Sequence, residues 1–308
     1  MRHRGEAAAR YPYVGARIKL GGGQAWLQPS PPGGTPVGWL AGRWSVLSPG
    51  TEWRHLAASG AGAPREAGYM TLGRPDDRSG WVLAPVPHGA AFPPSGGGAV
   101  TAPPGVPVAT AAVARFQQIA FLGLNRLAPG AEFDGAVVVG SGPVALGAAL
   151  ELARRGASTI RVAASRPYPP ILTVPGTTRL PPGETPAGGA ALVIDAAGTP
   201  QRAASLLAPG GVLGLLGTPP QTSGIAALAA HRGGWAVMGM HELVPAEPGA
   251  YQDAYTTTAT WLADYLDSGL VSSWCRTVPG HLAPRTYRLL GSAARPAEPV
   301  ILFDWEAT

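Results

Sequence analysis

The chain has 308 residues, of which 45% are hydrophobic and 13% charged, and its formal net charge is +5. This length exceeds what one hydrophobic core usually supports, so two domains are expected, and the apolar fraction excludes wholesale disorder. The positive charge is arginine scattered singly, with Lys19 the only lysine and no basic stripe interleaved with aromatics, so a nucleic-acid partner is not expected.

Glycine (44) and proline (34) are abundant but are interrupted by regular apolar patterns. Cys275 is the single cysteine, which excludes an internal disulfide framework and a multi-cysteine zinc site and fits a reducing cytoplasm. The first residues precede no apolar stretch, and no apolar run reaches about eighteen residues, so neither a signal peptide nor a membrane span is expected.

Residues 1–116 read as short strands joined by turns. Gly21-Gly22-Gly23, 31–34 and 95–98 are breakers, and Trp39, Trp44, Val46 and Leu47 fall in the apolar pieces between them. That spacing describes a twisted, barrel-like β domain. In 108–127, Ala111, Ala112, Phe116, Ile119, Ala120 and Leu124 recur at helical spacing, and Pro129-Gly130 ends the segment.

From Gly135 the pattern becomes strand, glycine turn, helix, strand. Residues 136–139 form a continuous apolar run, as a strand buried on both faces of a parallel sheet should. A helix over 144–154 ends at Gly156, and further strands are expected at 159–163, 190–194, 212–216 and 235–238, with a helix at 202–207. Such alternation gives an α/β, doubly wound parallel sheet. An amphipathic helix at 255–268 and a strand at 300–303 close the chain.

The turn Gly140-Ser141-Gly142-Pro143-Val144-Ala145 reads G-x-G-x-x-A, with Gly147 two residues on. Gly140 allows a sharp turn off the strand, Gly142 removes a side chain where a pyrophosphate would approach, and Ala145 lets the helix pack closely. The helix N-terminus offers free N–H groups to phosphate. The turn sits between a buried strand and a helix, so a dinucleotide site is expected there, with a tight turn lacking a ligand as the alternative. An NAD site carries an acid about twenty residues beyond the turn. Here the second strand runs into Ala164-Ser165-Arg166, without an acid. A hydroxyl and a guanidinium suit a 2′-phosphate, so NADPH is expected over NADH; the alternative is that Arg166 is a solvated loop arginine.

With these residues the chain resembles the medium-chain dehydrogenase/reductase superfamily. Asp195-Ala196-Ala197-Gly198, Pro209-Gly210-Gly211-Val212 and Leu216-Gly217 resemble its later Rossmann strands, and Tyr287-Arg288-Leu289-Leu290 resembles its closing helix. Ser48-Pro49-Gly50-Thr51-Glu52 resembles the S-P-G-T-E motif of a zinc-free branch that includes bacteriochlorophyllide dehydrogenase-like proteins; quinone reductases of the superfamily also lack zinc. The resemblance implies a GroES-like β-barrel catalytic domain (1–116), a Rossmann cofactor domain (117–240) and a return to the catalytic domain (241–308). It adds Ala196, Ala197, Gly217 and Thr218 to the cofactor residues Gly140, Ser141, Gly142, Pro143, Val144, Ala164, Ser165 and Arg166. Pro49, Tyr69 and Arg115 fall where zinc members have metal ligands, so no zinc is expected.

The shared chemistry of that superfamily is hydride transfer with a nicotinamide cofactor. Without a metal, hydrogen-bond donors would polarise the substrate. Thr51 matches a proton-relay hydroxyl, with a turn threonine as the alternative. Tyr69 replaces a ligand histidine and either faces substrate or fills the vacated space. His88 is a candidate general acid near its ordinary pKa, or else a surface loop histidine. Trp53, Arg115 and Gln118 are candidate pocket residues, and Glu52 and Asp195 are expected to be structural. The implied activity is a zinc-independent NADPH-dependent reduction of a carbonyl, iminium or activated alkene in a small molecule. An NADPH-binding sensor without catalysis is the alternative, and a homodimer through the last strands of the cofactor domain is implied by resemblance.

Overall fold

Apolar runs flanked by glycine turns and an amphipathic return segment give the chain two kinds of sheet. The computed structural model describes residues 16–29, 34–60, 62–244 and 247–307. In chain order the elements are β1 (Ala16–Gly21), β2 (Gln24–Pro29), β3 (Trp44–Leu47), α1 (Pro49–Ala57), β4 (Arg65–Glu66), β5 (Thr71–Gly73), β6 (Val82–Ala84) and β7 (Val100–Thr101). There follow α2 (Val108–Leu124), β8 (Ala136–Val139), α3 (Pro143–Arg154), β9 (Ile160–Ala163), β10 (Thr177–Arg179), β11 (Ala190–Asp195), α4 (Pro200–Ala204), β12 (Leu207–Leu215), α5 (Ala227–Gly233) and β13 (Ala236–Gly239). The chain then forms α6 (Ala250–Tyr265), α7 (Ser268–Ser273), β14 (Cys275–Pro279), α8 (Ala283–Leu289) and β15 (Val300–Asp304).

One compact unit comprises the chain up to Gly105 with Thr277–Arg295 and the segment from Ile301. It carries a sheet of order β2-β1-β4 and another of order β14-β15-β3-β5-β6-β7. Ile18, Leu20, Leu47, Leu56, Ile301 and Phe303 belong to its main core. Strands β5 and β6 are buried at every position, and α1 contributes Leu56 to the main core.

The other unit comprises Val106–Arg276 and Pro296–Val300. Its sheet has the order β10-β9-β8-β11-β12-β13, all pairs parallel. Chain order reverses between β8 and β11, the arrangement of a doubly wound dinucleotide-binding fold. All four residues of β8 are buried, as the unbroken apolar run requires. Helix α2 is buried on nearly every side and packs against α3 and α6.

Several expectations need correction. The boundary at 116/117 moves to 105/106 because α2 packs with α3 and α6 in the second unit. The return to the first unit starts at Thr277, not at 241, because α6 also stays with α2. Helix α1 replaces an expected turn, its Pro49 standing at the first helical positions where a missing N–H costs nothing. Strand β12 begins at Leu207, where a helix end and a proline-glycine-glycine turn were expected. A register shift opposite Ala190–Leu192 lets the strand continue through Pro209-Gly210-Gly211. The expected breaker at 31–34 lies outside the described residues apart from Gly34. Among the described residues no helix is long and apolar enough to cross a membrane.

Candidate functional site

The register of the parallel sheet gathers one set of sequence-predicted residues. Val139 pairs with Ala163 and with Asp195, Asp195 with Leu215, and Leu215 with Gly239, so these strand ends lie side by side. The segments leaving them (140–143, 164–166, 196–198 and 216–218) therefore emerge along one edge, beside the reversal of chain order. Ligands of open α/β sheets bind at such carboxyl ends.

Gly140 turns off β8 at φ 124°, a conformation closed to ordinary side chains. A Cβ there would lie 3.3 Å from Cβ of Ala197 and 3.5 Å from Cβ of Ala145, so turn, helix and neighbouring loop close on one another. Gly217 meets the same loop, with a Cβ falling 2.6 Å from the Ala196 carbonyl. Asp195 braces this loop by accepting the Ala197 N–H at 3.1 Å, and burial raises its carboxyl above the usual range, which agrees with a structural part.

Gly142 differs from these. It is the N-cap of α3 at φ −84° and ψ −173°, ordinary extended backbone, and a Cβ on it would meet nothing within 4 Å. Neither strain nor packing requires glycine there. No side chain caps α3 and no acid stands in its first turn, so its N–H groups and positive end are uncompensated. Beyond β9, Ser165 is exposed and Arg166 half-buried, with the Arg166 guanidinium donating to the Pro296 carbonyl at 2.9 Å. That bond holds the side chain at the sheet edge, so Arg166 is not a freely solvated loop arginine.

The first unit holds Thr51, Trp53, Tyr69 and His88. Thr51 and exposed Trp53 stand on α1, and the Trp53 indole covers Gly291, where a Cβ would lie 2.5 Å from the ring. Glu52 points inward and is fully buried. Tyr287 of α8 donates to its Oε2 at 3.0 Å, and His88 Nε2 lies 3.7 Å from its Oε1. Burial pushes the Glu52 carboxyl up to about 7 against the opposing Tyr287 bond, the Arg65 charge and the Gly68 N–H. Tyr69 is half-buried, and its phenol raises the Tyr287 hydroxyl further.

His88 is neither a surface loop histidine nor a group near its ordinary pKa. It is completely buried, desolvation lowers it to about 3, and Phe303 meets its ring edge-on at 5.3 Å. An imidazole so placed is neutral at pH 7, which removes it as a direct proton donor to substrate.

Arg115 and Gln118 are also engaged internally. Arg115 pairs with Glu242 at 2.6 Å and donates to Gln118 Oε1 at 2.5 Å, while Gln118 donates to the Tyr251 carbonyl at 2.5 Å. Tyr251 in turn donates to Glu242 at 3.0 Å. The network ties α2 to the start of α6, a structural task that competes with a pocket role. Glu242 and Tyr251 are partners from more than a hundred residues away, which local periodicity could not reveal.

Opposed burial of Glu52 and His88 predicts an opposed pH dependence. Glu52 is raised on folding, so its contribution is fully favourable below about 4.5 and is lost as pH rises to about 7. His88 is lowered, so its contribution is present above about 6.5 and lost as pH falls toward 3. The wild type should therefore change little in urea midpoint between these limits. His88→Leu leaves the Glu52 effect alone and should lose about 3 kcal/mol from pH 4.5 to 7. Glu52→Gln should instead lose stability on acidification below 6.5. Parallel curves for the two variants would contradict this.

No protein-family model and no curated protein sequence matches the chain. Solved structures match its fold. An alcohol dehydrogenase from Thermus sp. ATN1 superposes with TM-score 0.70 at 18% identity, covering 94% of this chain and 99% of that one. The quinone oxidoreductase of Thermus thermophilus, also solved in complex with NADPH, gives 0.67 at 22% identity over 93% and 99%. The galactitol-1-phosphate dehydrogenase of Escherichia coli gives 0.68 at 15% identity over 94% and 99%. The chain thus has the fold of these medium-chain dehydrogenases and quinone oxidoreductases over nearly its whole length.

Proposed function

We propose that the chain is a zinc-independent, NADPH-dependent reductase acting on a carbonyl, iminium or activated alkene of a small apolar or cyclic metabolite. The observation that carries the reading is Gly142, a helix N-cap kept bare where neither backbone nor packing asks for it. A pyrophosphate approaching α3 would need that space and would use the uncompensated N–H groups. Ser141, Pro143 and Val144 complete the turn, Ala164, Ser165 and Arg166 would hold the 2′-phosphate, and Ala196, Ala197, Gly217 and Thr218 flank the same edge. Bound NADPH would supply hydride. The chain's own part is to orient the substrate and to hold a proton near it, for which the Thr51 and Tyr69 hydroxyls are the candidates.

Zinc independence rests on donor chemistry. Proline at 49 and arginine at 115 offer no lone pair to a metal, and among the described residues no three of His, Cys, Asp and Glu cluster to hold one. The half-buried Cys275 thiol, pushed up to about 12 by burial, is an inert group compatible with the cytoplasm. A second copy pairing along β13, where Val237 is 45% exposed and α5 buries no residue, would give a homodimer whose mass in solution tests it.

NADPH and NADH binding should be measured separately, followed by absorbance at 340 nm with aldehydes, imines and enones. NADPH should bind at least about tenfold more tightly. Arg166→Ala should remove most of that preference while sparing NADH, because only the 2′-phosphate loses its charge-assisted bonds. Equal affinities in the wild type would refute the 2′-phosphate assignment, and stoichiometric zinc by metal analysis would refute the metal-free one. Binding without turnover on the whole panel would favour a non-catalytic NADPH-binding protein.

A further inference from the structure

Thr51 and Tyr69 stand on different segments of the first unit, and one buried pair lies beneath both. Thr51 directly precedes Glu52, whose carboxyl is wholly inside. Tyr69 directly follows Gly68, which adopts φ 89° and on which a Cβ would lie 2.4 Å from Cγ of His88. The backbone carrying Tyr69 therefore rests on the imidazole. Carboxyl and imidazole face each other at 3.7 Å, and Tyr287 closes the far carboxyl oxygen at 3.0 Å.

Among the described residues, Glu52 Oε1 and both His88 nitrogens have no hydrogen-bond partner. A lone carboxylate or a lone imidazolium is costly in such surroundings, whereas a neutral carboxyl facing a neutral imidazole at 3.7 Å leaves no charge buried.

We infer that Glu52 and His88 hold a single proton as one unit, and that this unit positions the Tyr69 phenol. The positioning role rests on the reductase reading of Tyr69; the shared proton does not. The groups facing the unit are Tyr287 from α8 and Arg65 from β4, with Tyr69 beyond Tyr287. The Arg65 charge favours the carboxylate, and burial opposes it more strongly. The pair thus keeps one proton from about pH 3 to about pH 7 and releases it above. Glu52 and His88 act through Tyr69 and are positioning residues.

The full chain, labelled with 15N-histidine and 13Cζ-tyrosine, tests this by NMR from pH 5 to 9, with Tyr69→Phe and His88→Leu assigning the signals. The His88 ring nitrogens and the Tyr69 13Cζ should both step near pH 7 in the wild type. In Glu52→Gln, which keeps an acceptor for Tyr287, both should be flat. Should that variant not fold, the two wild-type curves decide alone. An imidazole titrating like a solvated histidine near 6.5, or a Tyr69 signal without the common step, overturns the inference. The measurement uses neither NADPH nor substrate, so failure of the reductase reading would show separately, as absent cofactor binding.

Discussion

Gly142→Asp is expected to leave the free protein as stable as the wild type, or slightly more so, while weakening NADPH binding at least about 100-fold, near 3 kcal/mol. Both halves follow from one position. Residue 142 is the N-cap of α3 in extended backbone with open space where a side chain would begin. Aspartate is among the best N-cap residues because its carboxylate accepts an unpaired N–H of the first turn, and it suits the helix dipole. As a bare turn, the segment would thus welcome the substitution. A pyrophosphate would find those N–H groups taken and a negative charge in its path. Urea midpoints of the free variant and fluorescence titration with NADPH separate the two effects. An unchanged affinity would remove the glycine turn from the cofactor site, whatever the fold resembles.

The cofactor unit was legible because its physics is local. A strand buried on both faces must be apolar throughout, so 136–139 marked β8 to the residue. The turn after it has few chemical solutions, and the parallel sheet followed from alternation, although nothing marked the edge strand β10. The first unit was harder. Residues 1–116 read as strands and turns throughout, yet proline at a helix start is favourable, and Pro49 opens α1. Side-chain burial on loops leaves no period in sequence, so nothing marked His88 as interior. For Arg115 the apolar face of α2 was visible, but α2 is buried on nearly every side. A charge there needs a distant partner, and Glu242 supplies it.

The buried polar groups at and beside the sequence-predicted candidates thus fall into two kinds. Arg115 is paired and hydrogen-bonded, so it stays charged and acts as a clamp between helices. Glu52 and His88 have no comparable counter-charge at bonding distance, so their protonation responds to pH. A clamp should be insensitive to pH near neutrality, whereas the Glu52–His88 unit should not. The distinction comes from burial and partners, which a linear reading does not contain: the sequence pointed to His88 for the chemistry, Arg115 for the pocket and Glu52 for the scaffold.

Gly147→Ala should be a strongly damaging single methyl, lowering stability by about 3 kcal/mol and the melting temperature by roughly 10 °C. Gly147 lies five residues beyond Gly142 and belongs to the same motif region, yet it serves another purpose. A Cβ on it would fall 2.1 Å from the Phe116 carbonyl oxygen, 2.3 Å from its carbon and 2.8 Å from the Gln117 nitrogen. Backbone cannot yield as a flexible side chain can, so α2 and α3 would have to separate. That interface resists separation at its other end. Glu151 of α3, fully buried, accepts from Gln117 and is paired with Arg154 and Arg155, and Arg155 reaches Asn125 just beyond α2 at 2.6 Å. Strain at Gly147 would therefore be held in place instead of being relieved by sliding. Whatever fraction of Gly147→Ala folds should bind NADPH nearly as well as the wild type, because Gly140 and Gly142 are untouched. Gly142→Asp should show the reverse, stable and unable to bind. Calorimetry and cofactor titration on both variants give two results of opposite kind, and a normal melting temperature for Gly147→Ala would contradict the backbone approach of α2 to α3.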